Sequence, residues 1–231
     1  MSVKAFVLAG GLGTRLKPRF GDLPKPLAPL GGRPFLVRQL AWLRGHGIER
    51  AVILAGFGAD RLREALGDGS PWGVALEWSV EEEPLGTGGA LKLAERFVEG
   101  PALVVNGDTI GDADPWRLER DRWEAGATGA VALYRVDDAR ARGRVEAEGG
   151  RVTRFVEKDA AFAGPAWVNG GQYAFAPSLW SLLPAGPSSL ERDVLPKLAS
   201  RGRLVAARSE GRFWDIGTPE DFERAEREMP A

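Results

Sequence analysis

The chain has 231 residues, Lys+Arg 31 against Asp+Glu 32 for a net charge of −1, and 44% hydrophobic residues, which is the balance of a globular protein. That balance lacks the basic excess that draws a domain onto a nucleic-acid backbone or an anionic membrane, so a small-molecule partner is expected. Cys 0 excludes disulfide frameworks, thiolate nucleophiles and cysteine-ligated zinc, and the one histidine, His46 in LRGHGIER, reads as a solvated helix end.

The run from Val3 to Ala9, rich in β-formers and closed by glycine, reads as a strand covered on both faces. It is far shorter than the apolar region of a signal peptide, and no run approaches the roughly 18 residues that span a bilayer, so the expected location is the cytoplasm. A Gly/Pro loop runs from Gly10 to Pro34. Helical spacing of Phe35, Leu36, Leu40 and Leu43 after Pro34 predicts a helix, with Gly45 as its left-handed exit. A strand at Arg50 to Leu54, a helix at Ala59 to Leu66, a strand at Val74 to Val80, a helix at Gly88 to Phe97 and a strand at Ala102 to Asn106 follow.

This alternation predicts a mostly parallel sheet with helices on both faces, a three-layer α/β/α Rossmann-like fold with functional groups at the carboxyl ends of the strands. Further on, Arg144 to Glu148 and Val152 to Glu157 flank Gly149-Gly150 as a hairpin, and Trp167 to Ala176 reads as another strand. Ser188 with Glu191 three later resembles a capping box opening a helix to Ala199, and Thr218-Pro219 opens a terminal helix to about Glu228. The whole reads as a single domain, residues 1–231, with a small β-rich insertion in its second half.

The first strand empties into GGLGTRLKPRF, where Gly10, Gly11 and Gly13 let backbone amides approach a phosphate or a base. The dinucleotide fingerprint fails, because Leu16 stands where its last glycine is required, which disfavours a dinucleotide-dependent oxidoreductase. The Walker phosphate loop fails for want of a glycine-lysine-Ser/Thr triplet. Arg15 after Gly-Thr, and Lys25 bracketed by Pro24 and Pro26, form a two-cation cradle for polyphosphate.

With these residues in view, GGLGTRLKP followed by LPKPLAPLGGRPFL resembles the signature of the sugar-1-phosphate nucleotidyltransferases. EEEPLGTGGALKLA, VVNGD, RFVEK, VNGG and FWDIGTPED resemble further motifs in that family's order, from about residue 3 to about residue 225. The resemblance implies the nucleotide-diphospho-sugar transferase fold and a reaction that joins a nucleoside triphosphate to a sugar 1-phosphate with release of pyrophosphate. It implies a nucleotide-binding part at about 1–112 and a sugar-phosphate-binding part at about 113–231. Arg15 takes the role at the β- and γ-phosphates and Lys25 the role near the reacting phosphates. Leu8, Ala9, Gly10, Gly11, Gly13 and Thr14, with Glu83, Gly86, Thr87 and Gly88, surround the nucleotide. Gly143, Glu157, Lys158, Asn169 and Gly170 take the sugar phosphate, although Arg142 replaces the aromatic residue that the family has before this glycine.

Asp108 and Asp215 are the implied Mg²⁺ ligands: two carboxylates from distant strand ends can converge on one hard cation, while each could also cap its own loop. No catalytic histidine is needed, because a sugar 1-phosphate is already an anionic nucleophile. The nearest resemblance, through PLGTGGALKLA, VNGG and SLERDVLPKLA, is to short guanylyltransferases acting on D-glycero-α-D-manno-heptose 1-phosphate. Mannose-1-phosphate guanylyltransferases and the uridylyl- and thymidylyltransferases of N-acetylmuramate or glucose 1-phosphate are competing readings. A silent nucleotide-sensing homologue is a further one, although such a chain is expected to lose the Arg, Lys or carboxylates retained here. Glu83, as an acceptor for the two adjacent donors of guanine, gives an expected preference for GTP. The expected partners are the two substrates, without nucleic acid or membrane, and homo-oligomerisation is left open.

Overall fold

The computed structural model describes residues 3–140, 142–156 and 160–229. Strand β1 (Lys4–Ala9) leads into the glycine loop, which is less irregular than expected: it holds the one-turn helix α1 (Lys17–Phe20) and a ribbon of β2 (Pro29–Leu30) and β3 (Arg33–Pro34). Helix α2 (Phe35–Gly45), β4 (Arg50–Ala55), α3 (Ala59–Leu66), β5 (Ala75–Val80), α4 (Gly86–Leu93) and β6 (Ala102–Asn106) continue the expected alternation. Two details differ. Gly45 lies inside α2, and the left-handed residue after that helix is Gly47 at φ 72°. The expected helix from Gly88 to Phe97 starts two residues earlier and breaks after Leu93, with a separate 3₁₀ turn at Glu95–Phe97.

The second half begins with elements for which the sequence reading had no expectation: β7 (Thr109–Gly111), α5 (Pro115–Glu124) and β8 (Gly129–Val136). Asp114 caps α5 by accepting the Trp116 N–H at 2.9 Å, so an Asp-Pro start signal was present in the sequence. The hairpin of β9 (Arg144–Glu148) and β10 (Arg151–Val156) turns on Gly149 and Gly150 at φ 54° and 77°, a pair of positive values that a two-residue hairpin requires. Next come β11 (Ala166–Phe175), α6 (Leu195–Ser200), β12 (Leu204–Ser209), β13 (Phe213–Asp215) and α7 (Pro219–Glu228).

Ser188 does not cap the helix before Ala199. Ser189 does, accepting the Arg192 N–H at 3.2 Å while its own N–H donates to Asp193 Oδ2 at 2.7 Å. The turn Leu190–Val194 is π-helical, and its extra residue displaces the reciprocal acid by one position from the usual box. Thr218 caps α7 as expected, accepting the Asp221 N–H at 3.1 Å.

Nine strands form the main sheet in the order β5-β4-β1-β6-β11-β8-β12-β10-β9. The first four are parallel, as expected from their helical crossovers. Beyond them the sheet is mixed: β11 runs antiparallel to β6 and β8, β12 is parallel to β8, and β9 returns to β11 at Arg144–Val168. Pleating sends alternate residues of β1 to opposite cores. Val7 packs with Leu40, Ile53, Leu62 and Leu118 on one face, and Phe6 packs with Val104, Leu91, Trp180 and Leu195 on the other.

A third cluster of Leu16, Phe35, Ile110, Trp214, Ile216 and Phe222 binds α7 to the glycine loop. Fully burying one such side chain stabilises by about 1.5–3 kcal/mol, so this small core holds the loop of Arg15 and the strand of Asp215 in one place. Among the described residues, no helix is long and apolar enough to cross a membrane.

Candidate active site

The carboxyl ends of β1, β5 and β6 open onto a cavity of about 260 Å³. Of the residues expected around a nucleotide, Leu8, Gly10, Gly11, Gly86 and Thr87 line it, with Asp108 at one edge. Ala9, Gly13, Thr14 and Gly88 are not among its lining residues. Ala9 is a core residue, and Gly88 is buried where a Cβ would meet Ser188 Oγ at 2.6 Å. Gly13, at φ 61°, turns the loop so closely over Lys25 that a Cβ would come within 3.1 Å of the lysine Cβ. Thr14, exposed, opens the 3₁₀ turn that carries Arg15. Thr87 is a latch: its hydroxyl donates to Glu191 at 2.7 Å and accepts the Leu190 N–H at 2.8 Å.

Of the run Glu81-Glu82-Glu83, the residue that lines this cavity is Glu81, not Glu83. Glu81 N–H donates to the Ala55 carbonyl at 3.0 Å, prolonging the β4–β5 pairing, and its side chain lies where a Cβ on Gly10 or Gly56 would meet Oε1 at 2.7 or 2.6 Å. Glu83 sits beyond that pairing and is exposed. Glu81 Oε2 accepts the Leu85 N–H at 3.0 Å, and burial pushes its carboxyl above the usual range despite that bond. The signal available in the sequence was position: Glu81 directly follows Val80, the last residue of a strand, and strand ends are where a parallel sheet places its ligands.

The four charged residues singled out in the sequence do come together. The Asp108 carbonyl accepts the Ile216 N–H at 2.9 Å, and Thr109 pairs with Asp215 between β7 and β13, so the two carboxylates stand on adjacent segments. Lys25 Nζ donates to Asp108 Oδ2 at 2.5 Å. A Cβ placed on Gly217 would lie 2.8 Å from Asp215 Oδ1, 3.4 Å from Lys25 Nζ and 3.5 Å from Arg15 Nη2, which puts all three side chains around one glycine. Burial and then the charge of Asp108 push the Asp215 carboxyl up, against the pull of Arg142 and Lys25.

Two oxygen-donor side chains on adjacent segments, with the charge of one pushing up the carboxyl of the other, suit a hard divalent cation, which would relieve the repulsion. No group of three or more His, Cys, Asp or Glu able to hold a metal occurs among the described residues. Such an ion would therefore depend on phosphate oxygens and water for its remaining positions, the habit of Mg²⁺.

Beyond this corner lies a larger cavity of about 850 Å³, lined in part by Arg15, Arg142, Gly143, Asn169, Asp215 and Asp221. Gly143 and Asn169, two of the residues for which the resemblance implied contact with the sugar phosphate, thus share one cavity. Gly170 does not line it, because a Cβ there would meet the Tyr134 ring at 2.3 Å, and its role is to let the strand pass under that ring. Glu157 and Lys158 lie outside the described residues. Asn169 is held by the Tyr173 hydroxyl at 2.8 Å and by the Gly171 N–H at 2.9 Å. The sequence reading missed Arg144, Glu191 and Asp221 in this wall.

A glycine loop at a strand end, two cations and two carboxylates at one corner, and a second cavity beyond it define a three-layer α/β protein of the nucleotide-diphospho-sugar transferase fold. The chain belongs to the nucleotidyl transferase family, whose model matches residues 4–231. It is 36% identical over 227 residues to a mannose-1-phosphate guanyltransferase of Aspergillus fumigatus, and 33% identical over 226 residues to the mannose-1-phosphate guanylyltransferase catalytic subunit beta of Xenopus tropicalis. In both cases 95% of this chain is covered, but it spans only 62% of the relative's length. The crystal structure of HddC from Yersinia pseudotuberculosis complexed with GMP-PN is similar at TM-score 0.86 and 32% identity, covering 99% of this chain and 100% of that one.

Proposed function

We propose that the chain is a sugar-1-phosphate nucleotidyltransferase that joins GTP to a manno-configured hexose or heptose 1-phosphate and releases pyrophosphate. The observation that carries this reading is the meeting of Arg15, Lys25 and Asp215 around Gly217, with Asp108 beside them, at the boundary of the two cavities. In-line transfer needs the attacking phosphate on one side of the α-phosphorus and the leaving pyrophosphate on the other, and charge neutralisation at the point between.

Arg15, exposed and without an ion-pair partner among the described residues, is placed to take the departing phosphates through its guanidinium fork. Lys25, held between two prolines, presents a fixed ammonium that can pass from Asp108 to a reacting oxygen. Asp108 and Asp215 would hold Mg²⁺, which when bound supplies Lewis-acid neutralisation of the phosphate charge. The sugar phosphate enters already ionised, so no side chain has to take a proton from it, in keeping with the absence of any histidine here.

Guanine is favoured by Glu81, a carboxylate lining the nucleotide cavity whose Oε2 already takes the Leu85 N–H and whose remaining acceptor capacity suits a base edge that offers donors. The names of the mannose-1-phosphate guanyltransferase relatives, and GMP-PN bound to HddC, support the same base. The test is pyrophosphate release with GTP, UTP, dTTP and ATP against mannose, glucose and D-glycero-D-manno-heptose 1-phosphates. Turnover highest with GTP and a manno-configured acceptor is expected. Equal turnover with UTP or dTTP overturns the base, and no release with any pair overturns the reaction.

A further inference from the structure

Arg142 lies on the wall shared by the 850 Å³ cavity and an adjoining cleft of about 420 Å³. Its guanidinium bridges two carboxylates, with Nη1 3.2 Å from Asp215 Oδ2 and Nη2 2.9 Å from Asp221 Oδ1, and it lies over the Phe213 ring at 5.1 Å. The two ends differ. Asp221 sits in the first turn of α7, where Thr218 donates to it at 3.0 Å and Arg224 pairs with it at 2.7 Å. Asp215 offers Arg142 the longer contact, and this is the carboxylate that the reading above assigns to the metal.

We infer that Arg142 is a positioning residue that covers Asp215 until a divalent cation takes that carboxylate, and then turns its released nitrogen toward the sugar phosphate. This rests on the proposed roles of Asp215 and of the large cavity. Lys25 covers Asp108 as Arg142 covers Asp215, so each carboxylate of the pair has its own cation. A divalent ion cannot share Asp215 with a guanidinium at close range without mutual repulsion, and Arg142 is the side chain with a second anchor to retreat to. Anchored on Asp221 and stacked on Phe213, it keeps its place while Nη1 loses its acceptor. A half-buried donor without an acceptor is unfavourable, and the anion that enters this cavity is the sugar phosphate, whose oxygens fit a guanidinium.

The test measures Mn²⁺ binding to the substrate-free protein by calorimetry. Arg142→Ala is expected to bind Mn²⁺ at least about fivefold tighter, a modest coupling between neighbouring sites. In turnover with GTP, its KM for mannose 1-phosphate should rise about tenfold while the KM for GTP stays put. Arg142→Gln keeps a stem over Phe213 without the charge and gives the same comparison if the alanine variant melts early. Mn²⁺ affinity unchanged or weakened in the folded variants, or an unchanged KM for mannose 1-phosphate, overturns the inference. Asp215→Asn separates the two levels. If it leaves Mn²⁺ binding at the wild-type value, the metal reading itself fails; if it weakens binding while Arg142→Ala fails to tighten it, only the role of Arg142 fails.

Discussion

The two halves of the site are built from different materials. Around the nucleotide cavity the chain uses close backbone packing: Gly10 and Gly56 leave room for Glu81, and Gly107 passes where a Cβ would meet the Leu8 carbonyl at 2.6 Å. At the corner between the two cavities and along the larger one, the charged groups are held by ion pairs, Lys25 to Asp108 and Arg142 to Asp215 and Asp221. Backbone shape is in place before a ligand arrives, whereas under the proposed function these ion pairs would exchange partners on binding phosphate and metal. Substitutions on the first side should therefore alter which base is accepted, and those on the second should alter whether transfer occurs at all.

The largest effect tests that second statement. Asp108→Asn and Asp215→Asn should each lower turnover on the order of a thousandfold by removing a carboxylate from the charge-neutralising centre. Mg²⁺-dependent pyrophosphate release from folded variants at near wild-type rates would place the centre elsewhere. Arg15→Ala and Lys25→Ala come next, at roughly a hundredfold in kcat/KM. Arg15 is exposed and has no ion pair among the described residues, so its variant should melt with the wild type. Retained activity with lost stability would return it to a merely structural loop.

On the nucleotide side, Glu81→Gln should erode the preference for GTP over UTP by about 10- to 200-fold while Glu83→Gln leaves it unchanged. Measured kcat/KM ratios that respond to Glu83 instead would reverse the assignment made from the cavity lining. The smallest effect is on stability. Because the folded state raises the Asp215 carboxyl, ionising it there is harder than in the unfolded chain. Relative to the ionised form, the stability of the protonated carboxyl is fully present below the unfolded value near 4 and is lost as pH rises through the higher folded value. Asp215→Asn should therefore raise Tm at neutral pH by no more than a few degrees, with the gap closing toward acid pH. A Tm that falls at neutral pH would mean that the pairing with Arg142 outweighs burial.

The same division explains what could be read before the structure. Strand periodicity and the glycine loop are local, so β1, β4, β5, β6 and their helices were legible, as were Arg15, Lys25, Asp108 and Asp215 through their motifs. Elements β8 and β12 were not read, although their pairing carries the second half of the sheet. The Glu-Glu-Glu run shows why side-chain choice escaped: three identical residues differ only in how far each stands from the end of β5. Likewise the π-turn that moves a cap from Ser188 to Ser189 has no one-residue signature.

Local chemistry determined the class of fold, the glycine loop after the first strand and the charged residues that follow it, because periodicity, glycine and proline act within a few residues of themselves. Tertiary structure alone decided that Glu81 faces the cavity, that Gly170 serves packing under Tyr134, and that Arg142 reaches Asp215 and Asp221 across more than seventy positions. Those outcomes depend on which distant segments share a sheet edge, and a contact between remote segments leaves no periodic trace in the chain.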